Sequence, residues 1–268
     1  MDGEHPAAHL LPSVVVLRRR ATLAIIALGA VMLARGASLL ALEWSVVLLR
    51  SIPTCGSGAP PALMDRIRAA DAIVNATNTA IAITFVVTAI VFLRWMHRLV
   101  LLTRALDAAL AWSPSEAVWS FIIPLVGLVR PYQILSAVHT ALAPENVAPV
   151  DVRVEPSAQG DYRSVVFVAP SAAIAIPAAP VAMWWGAFIL LSVGTRVVTM
   201  VTTGAKSTTV DGAVTSYHGT MLADAVAVIA AALAIMVVRG LTARAVERFR
   251  RIRESTPEAL AAQGIRLS

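Results

Sequence analysis

Four long apolar blocks, each bordered by arginine or lysine, constrain this chain more than any other feature. They are Ala21–Leu42, Ala72–Leu93, Val181–Thr203 and Met221–Val238. A helix crosses the ~30 Å hydrocarbon layer with roughly 17–25 predominantly apolar residues, so each block is long enough for one crossing. Composition agrees. Of the 268 residues 58% are hydrophobic and only 14% charged, where a soluble domain carries about a quarter charged. The net charge of +6 could point to nucleic acid. Its basic residues instead flank the apolar blocks, where they set topology, and no nucleic-acid partner is expected. The single cysteine, Cys55, excludes an internal disulfide and a cysteine-cluster metal site.

The fold class expected is an all-α membrane protein with four transmembrane helices in two hairpins, joined by a broken re-entrant or interfacial helical segment. Residues 1–20 form an N-terminal cytoplasmic tail and 21–93 the first hairpin. Arg18-Arg19-Arg20 ahead of an apolar run also fits a signal peptide cleaved near Ala34 or Ala37. The run continues past Arg35 to Trp44, which favours a retained helix. Residues 94–142 hold an amphipathic helix, with Leu99, Leu102, Leu106 and Leu110 at helical spacing, followed by the broken segment. Residues 143–178 are a cytoplasmic loop in which a small β-hairpin across Pro156–Asp161 fits the alternating pattern. Residues 179–240 are the second hairpin. Residues 241–268 are a basic amphipathic tail, with Val246, Phe249 and Ile252 on one face and Arg244, Arg248 and Arg251 around it.

The segment between the hairpins starts with Ser113-Pro114-Ser115-Glu116, a capping box with proline at the first helical position. Its apolar core, Ala117–Val129, has thirteen residues. At ~1.5 Å per residue it reaches roughly 20 Å, too short to cross. Pro124, Gly127 and Pro131 interrupt it, and Arg130 follows. It reads either as a kinked helix packed against the spans or as a re-entrant element lining a site. If it crossed, the arginine-rich tail would lie outside. With four crossings and both termini inside, the inner segments carry Arg18–Arg20, Arg94, Arg98, Arg104, Arg130 and the tail, while the outer loops carry Arg50, Arg66, Arg68 and Lys206. The positive-inside rule selects the second arrangement.

Ionisable residues within spans are costly and are generally paired. Counted from the inner ends, Arg35 and Asn78 lie about 21–22 Å deep, and so do Arg196 and Asp224. The expectation is one polar pair per hairpin: Arg35 with Asn78, helped by Asn75 and Asp71 further out, and Arg196 with Asp224. Such pairs either glue the helices or line an anion or proton site. Trp44, Trp95, Trp112, Trp184 and Trp185 fall at span ends, as an aromatic belt does.

Phe92-Leu93-Arg94-Trp95-Met96-His97-Arg98, Trp112-Ser113-Pro114, Phe121-Ile122-Ile123-Pro124 and Leu128-Val129-Arg130-Pro131 run in a recognisable order. Trp184-Trp185, Leu222-Ala223-Asp224 and Val237-Val238-Arg239-Gly240-Leu241-Thr242 follow. Together, over about Thr22 to Arg250, they resemble the bacterial domain-of-unknown-function family 4328. The resemblance implies a bacterial integral membrane protein and carries no activity. The chain departs from that pattern at Leu102 and Gly127, where asparagines are expected, which counts against a polar site built from that pair.

No phosphate-binding glycine loop, zinc-binding HExxH, nucleophile elbow or carboxylate-histidine cluster stands in the sequence. Neither an enzyme nor a cofactor is expected. Two function classes stand: a non-catalytic membrane scaffold or sensor binding lipid or a protein partner, and a small-solute or ion translocator acting as an oligomer. The expected partners are the lipid bilayer, with anionic lipids at the basic tail, and a further copy or another membrane protein.

Overall fold

The structure, a computed structural model, describes residues 11–52, 60–106, 110–123, 126–143, 154–156, 162–164, 179–204 and 210–254. Six helices, a 3-10 turn and one two-stranded ladder make up these residues. They are α1 Leu11–Arg50, α2 Pro61–Leu106, α3 Pro114–Ile122, α4 Arg130–Ala141, α5 Ala179–Gly204 and α6 Val210–Glu254. The strands β1 Val154–Pro156 and β2 Tyr162–Ser164 pair antiparallel, with Glu155 opposite Arg163. The hairpin across Pro156–Asp161 thus has its two arms in place. Cys55 lies outside the described residues.

Three helices among the described residues are long and apolar enough to cross a membrane: Ser13–Arg50, Pro61–Leu106 and Val210–Ile252. They run well past the apolar blocks. The 46 residues of α2 span roughly 69 Å, about twice the hydrocarbon layer. No proline or glycine occurs from Ala62 to Leu106, so nothing ends the helix at Leu93. The amphipathic helix expected over Leu99–Leu110 is therefore the C-terminal part of α2, to Leu106. The basic tail likewise continues α6 as far as Glu254.

The chain divides into two compact units, and each long helix contributes to both. The first comprises Met1–Thr22, Leu93–Val181 and Val238–Ser268. Its interior is built of large side chains: Leu17, Trp95, Met96, Leu99, Ile134 and Ile252 are all fully buried. Burying each is worth roughly 1.5–3 kcal/mol in water, as in a soluble core. Trp95 donates its indole N–H to the Thr242 hydroxyl at 3.1 Å, so it is a core residue and not part of an aromatic belt. Phe249 and Ile252 are buried in the same unit, as is Arg248. The apolar face of the basic tail is therefore turned into protein, a difference from the membrane-facing stripe expected.

The second unit, Leu23–Phe92 and Ala182–Val237, has the opposite pattern. Many of its buried positions are small, including Ala24, Ala27, Ala41, Ala227, Ala230 and Ala234. Many of its large aliphatic residues face outward: Leu33, Leu40, Ile83, Leu190 and Leu222 are each more than half exposed. Small residues let helix backbones approach closely where the hydrophobic effect supplies no drive between helices, and large apolar residues outside suit a hydrocarbon solvent. One close approach is explicit. Thr88 of α2 donates to the Ala27 carbonyl of α1 at 3.1 Å. Trp184 and Trp185 are buried against Phe188, with ring centroids 6.0 and 5.1 Å away, instead of standing as interfacial anchors.

The start of α3 follows the sequence closely. Ser113 accepts from the Glu116 N–H at 3.1 Å and donates its own N–H to the Glu116 carboxylate at 2.8 Å. The two hydrogen bonds from Ser113 hold the Glu116 carboxyl below its ordinary range, with Arg130 and Arg104 adding to the effect. Ser113→Ala should cost about 1 kcal/mol and lower the thermal unfolding midpoint in detergent. Gly127→Ala should also lower it, because an added Cβ would lie 3.3 Å from the Ser120 carbonyl oxygen. Gly36→Ala should not, since nothing lies within 4 Å of that position. Fluorescence-monitored melts of the three variants check all three expectations.

Candidate functional site

The apolar block of α1 contains one cation, Arg35, and that of α6 one anion, Asp224. The second unit brings them together: the Arg35 guanidinium donates to Asp224 Oδ1 at 2.5 Å. The Asp224 side chain is 1% exposed and that of Arg35 24%. An isolated charge in such surroundings would cost several kcal/mol, and mutual contact is what makes both tolerable. Satisfaction is incomplete. Arg35 Nε and Asp224 Oδ2 are buried with no hydrogen-bond partner among the described residues. The carboxylate thus keeps a free oxygen, and the guanidinium a free donor, inside a helix bundle lined by alanine and serine.

This pairing differs from the one expected. Arg35 meets Asp224, in another hairpin of the sequence, and not Asn78. Asn78, Asn75 and Asp71 are exposed on α2. The reason is geometric. Counting residues from a helix end fixes depth, and Arg35, Asn78 and Asp224 share one depth. Which of them face each other depends on the rotation of each helix about its axis, set by small-residue packing. Arg196 lies within α5, and its side chain is outside the described residues. Asp71 has a separate place: with Ser45, Leu48, Ala70 and Tyr217 it lines a shallow crevice open to solvent.

The segment expected to be broken is a helix–turn–helix in the first unit. Helix α3 ends at Ile122, residues Val126–Leu128 form a 3-10 turn, and α4 starts at Arg130. Pro124 lies outside the described residues. Gly127 donates to the Ile123 carbonyl at 2.6 Å, and a Cβ there would press against the Ser120 carbonyl oxygen. Pro131 is buried in the first turn of α4, where it starts a helix rather than kinking one. Arg130 is exposed, its guanidinium 5.9 Å from the centroid of the Trp112 ring. Trp119, Ile122, Ile123, Leu128 and Val129 around this corner are each 44–59% exposed. Ala117–Val129 is thus not one stretch: it begins in α3 and ends at Val129, the residue that caps α4, beside an exposed corner.

Long helices with small residues inside and large apolar ones outside, carrying one buried ion pair, define a protein with membrane-spanning helices. The model of one family, the domain of unknown function DUF4328, matches residues 60–243, and the chain belongs to that family. The match begins at the foot of α2, so α1, with Arg35, lies ahead of it, while Asp224 lies within it. No curated protein and no solved structure matches the chain. Among the described residues, no group of three His, Cys, Asp or Glu side chains is placed to hold a metal ion.

Arg35→Gln or Asp224→Asn alone should destabilise by roughly 3–5 kcal/mol, since each strands the other group. The double substitution should be no worse than the more damaging single one. Chemical or thermal unfolding of the three proteins in one detergent decides the matter: additive losses would mean that the two side chains do not act as a pair.

Proposed function

We propose that this protein is a non-catalytic scaffold or sensor of the bacterial inner membrane, binding lipid or a protein partner. In this reading it has four spans in two hairpins and both termini in the cytoplasm. The observation that carries it is the ion pair: Arg35 and Asp224 touch each other and tie α1 to α6. A fixed clasp is what a structural unit needs, whereas a solute path needs charges available to the solute. The span of α5 rests on its length, 26 helical residues or roughly 39 Å, and on the apolar run Val181–Thr203. The first unit, with its soluble-type core, is then the cytoplasmic body available to a partner. The exposed corner of Trp119, Ile122, Ile123, Leu128 and Val129 suits a position at the inner face of the bilayer, as does the nearby pairing of Arg130 with Trp112.

A second reading, a small-solute or ion translocator working as an oligomer, is favoured by one detail. Asp224 Oδ2 is buried without a partner among the described residues, as a proton- or cation-accepting oxygen would be.

Cysteine accessibility separates the two. In a Cys55→Ser background, single cysteines along Ala117–Arg130 are treated in intact cells with a membrane-impermeant thiol reagent. Labelling only after the cells are opened is expected. Labelling near Gly127 from outside would establish a water-filled path and replace the scaffold by the translocator.

A further inference from the structure

We infer that Arg20, Arg94 and Arg98 form a binding site for the phosphodiester headgroup of an anionic membrane lipid. The inference rests on the scaffold reading for its position at the inner membrane face. Arg94 and Arg98 are one helical turn apart on α2, so their side chains leave the same face. Arg20 of α1 is fastened to that turn: its Nη1 donates to the Arg94 carbonyl at 3.0 Å. It lies within electrostatic reach of both other guanidinium groups. Three like charges are thus gathered at one place in the first unit.

Nothing on these helices neutralises them. The nearest carboxylates on α1 and on the described part of α2 are Glu43 and Asp71. Each is 23 residues from Arg20 or Arg94, roughly 34 Å along the helix. Elsewhere in the first unit, Glu247 is held by Arg250 and Arg251, and Glu116 closes the capping box with Ser113. Arg98 Nε, moreover, is buried with no hydrogen-bond partner among the described residues. A buried guanidinium N–H without an acceptor costs on the order of 1–3 kcal/mol, and a neighbouring pair of like charges adds to that. A phosphate held among the three guanidinium groups relieves the repulsion. Guanidinium groups suit phosphate through paired, planar N–H donors, which ammonium groups lack.

Arg20 directly precedes the apolar block Ala21–Leu42 and Arg94 directly follows Ala72–Leu93, and the end of an apolar block that crosses a bilayer lies at headgroup depth. The basic tail, whose apolar face is already buried, is the less suitable place for a lipid.

The test is a melt of the whole protein in a neutral detergent, with added phosphatidylglycerol, phosphatidylcholine or inorganic phosphate. Phosphatidylglycerol should raise the midpoint by about 4 °C over phosphatidylcholine. Arg20→Gln/Arg98→Gln should lose at least two thirds of that rise, and Arg18→Gln/Arg19→Gln should keep it. Equal rises in all three proteins, or equal losses in both double variants, would overturn the site. A rise with inorganic phosphate and none with phosphatidylglycerol would overturn the lipid. Should the Gln variant fail to fold, Arg98→Lys keeps the charge but not the fork, and native mass spectrometry should find less phosphatidylglycerol bound to it; undiminished binding would again overturn the site. These readouts do not depend on the cysteine labelling, so either reading can fail alone.

Discussion

A guanidinium and a carboxylate, both far from water, can share a helix bundle only in contact. That condition organises the second unit. Once Arg35 and Asp224 touch, α1 and α6 have a fixed height and a fixed rotation relative to each other. Small side chains then decide how near the backbones come, and Thr88 reaching the Ala27 carbonyl shows how near that is for α1 and α2. The pair gives specificity more than stability. Its net free energy is small against a well-packed apolar alternative, but every other rotation of either helix strands a charge.

The first unit is held by different means. Trp95, Leu99, Ile134 and Ile252 form an interior that water drives together, and the indole of Trp95 is satisfied by Thr242. The same four long helices supply residues to both interiors. Sequence alone places the switch well, since arginines at positions 20, 94 and 239 stand where one pattern gives way to the other.

Much of this was readable before the coordinates, and the limits have a common cause. The capping box at Ser113, the arms of the hairpin at 154–164 and the family resemblance depend on neighbours in sequence, and they stand as read. The partner of Arg35 depends on helix rotation, which depth counting does not contain. The fate of the tail was ambiguous for a related reason. Val246, Phe249 and Ile252 make an apolar stripe that fits a membrane or a protein core equally well, and only packing tells which is nearer. Trp95 and Trp184 stand beside the ends of apolar blocks, but an indole there can turn inward as easily as outward, and both are buried.

The alanine-lined interior of the second unit carries a consequence for how this chain tolerates change. In the first unit, damage comes from making a buried residue smaller, because a cavity forms. In the second, buried alanines such as Ala24, Ala227 and Ala234 are already near the lower limit of size, so damage at those positions comes from making them larger. Outer leucines such as Leu33 and Leu222, more than half exposed, are free to exchange with other apolar residues and closed to charged ones. One polypeptide therefore drifts under two opposite rules of size, and the rule reverses within single continuous helices.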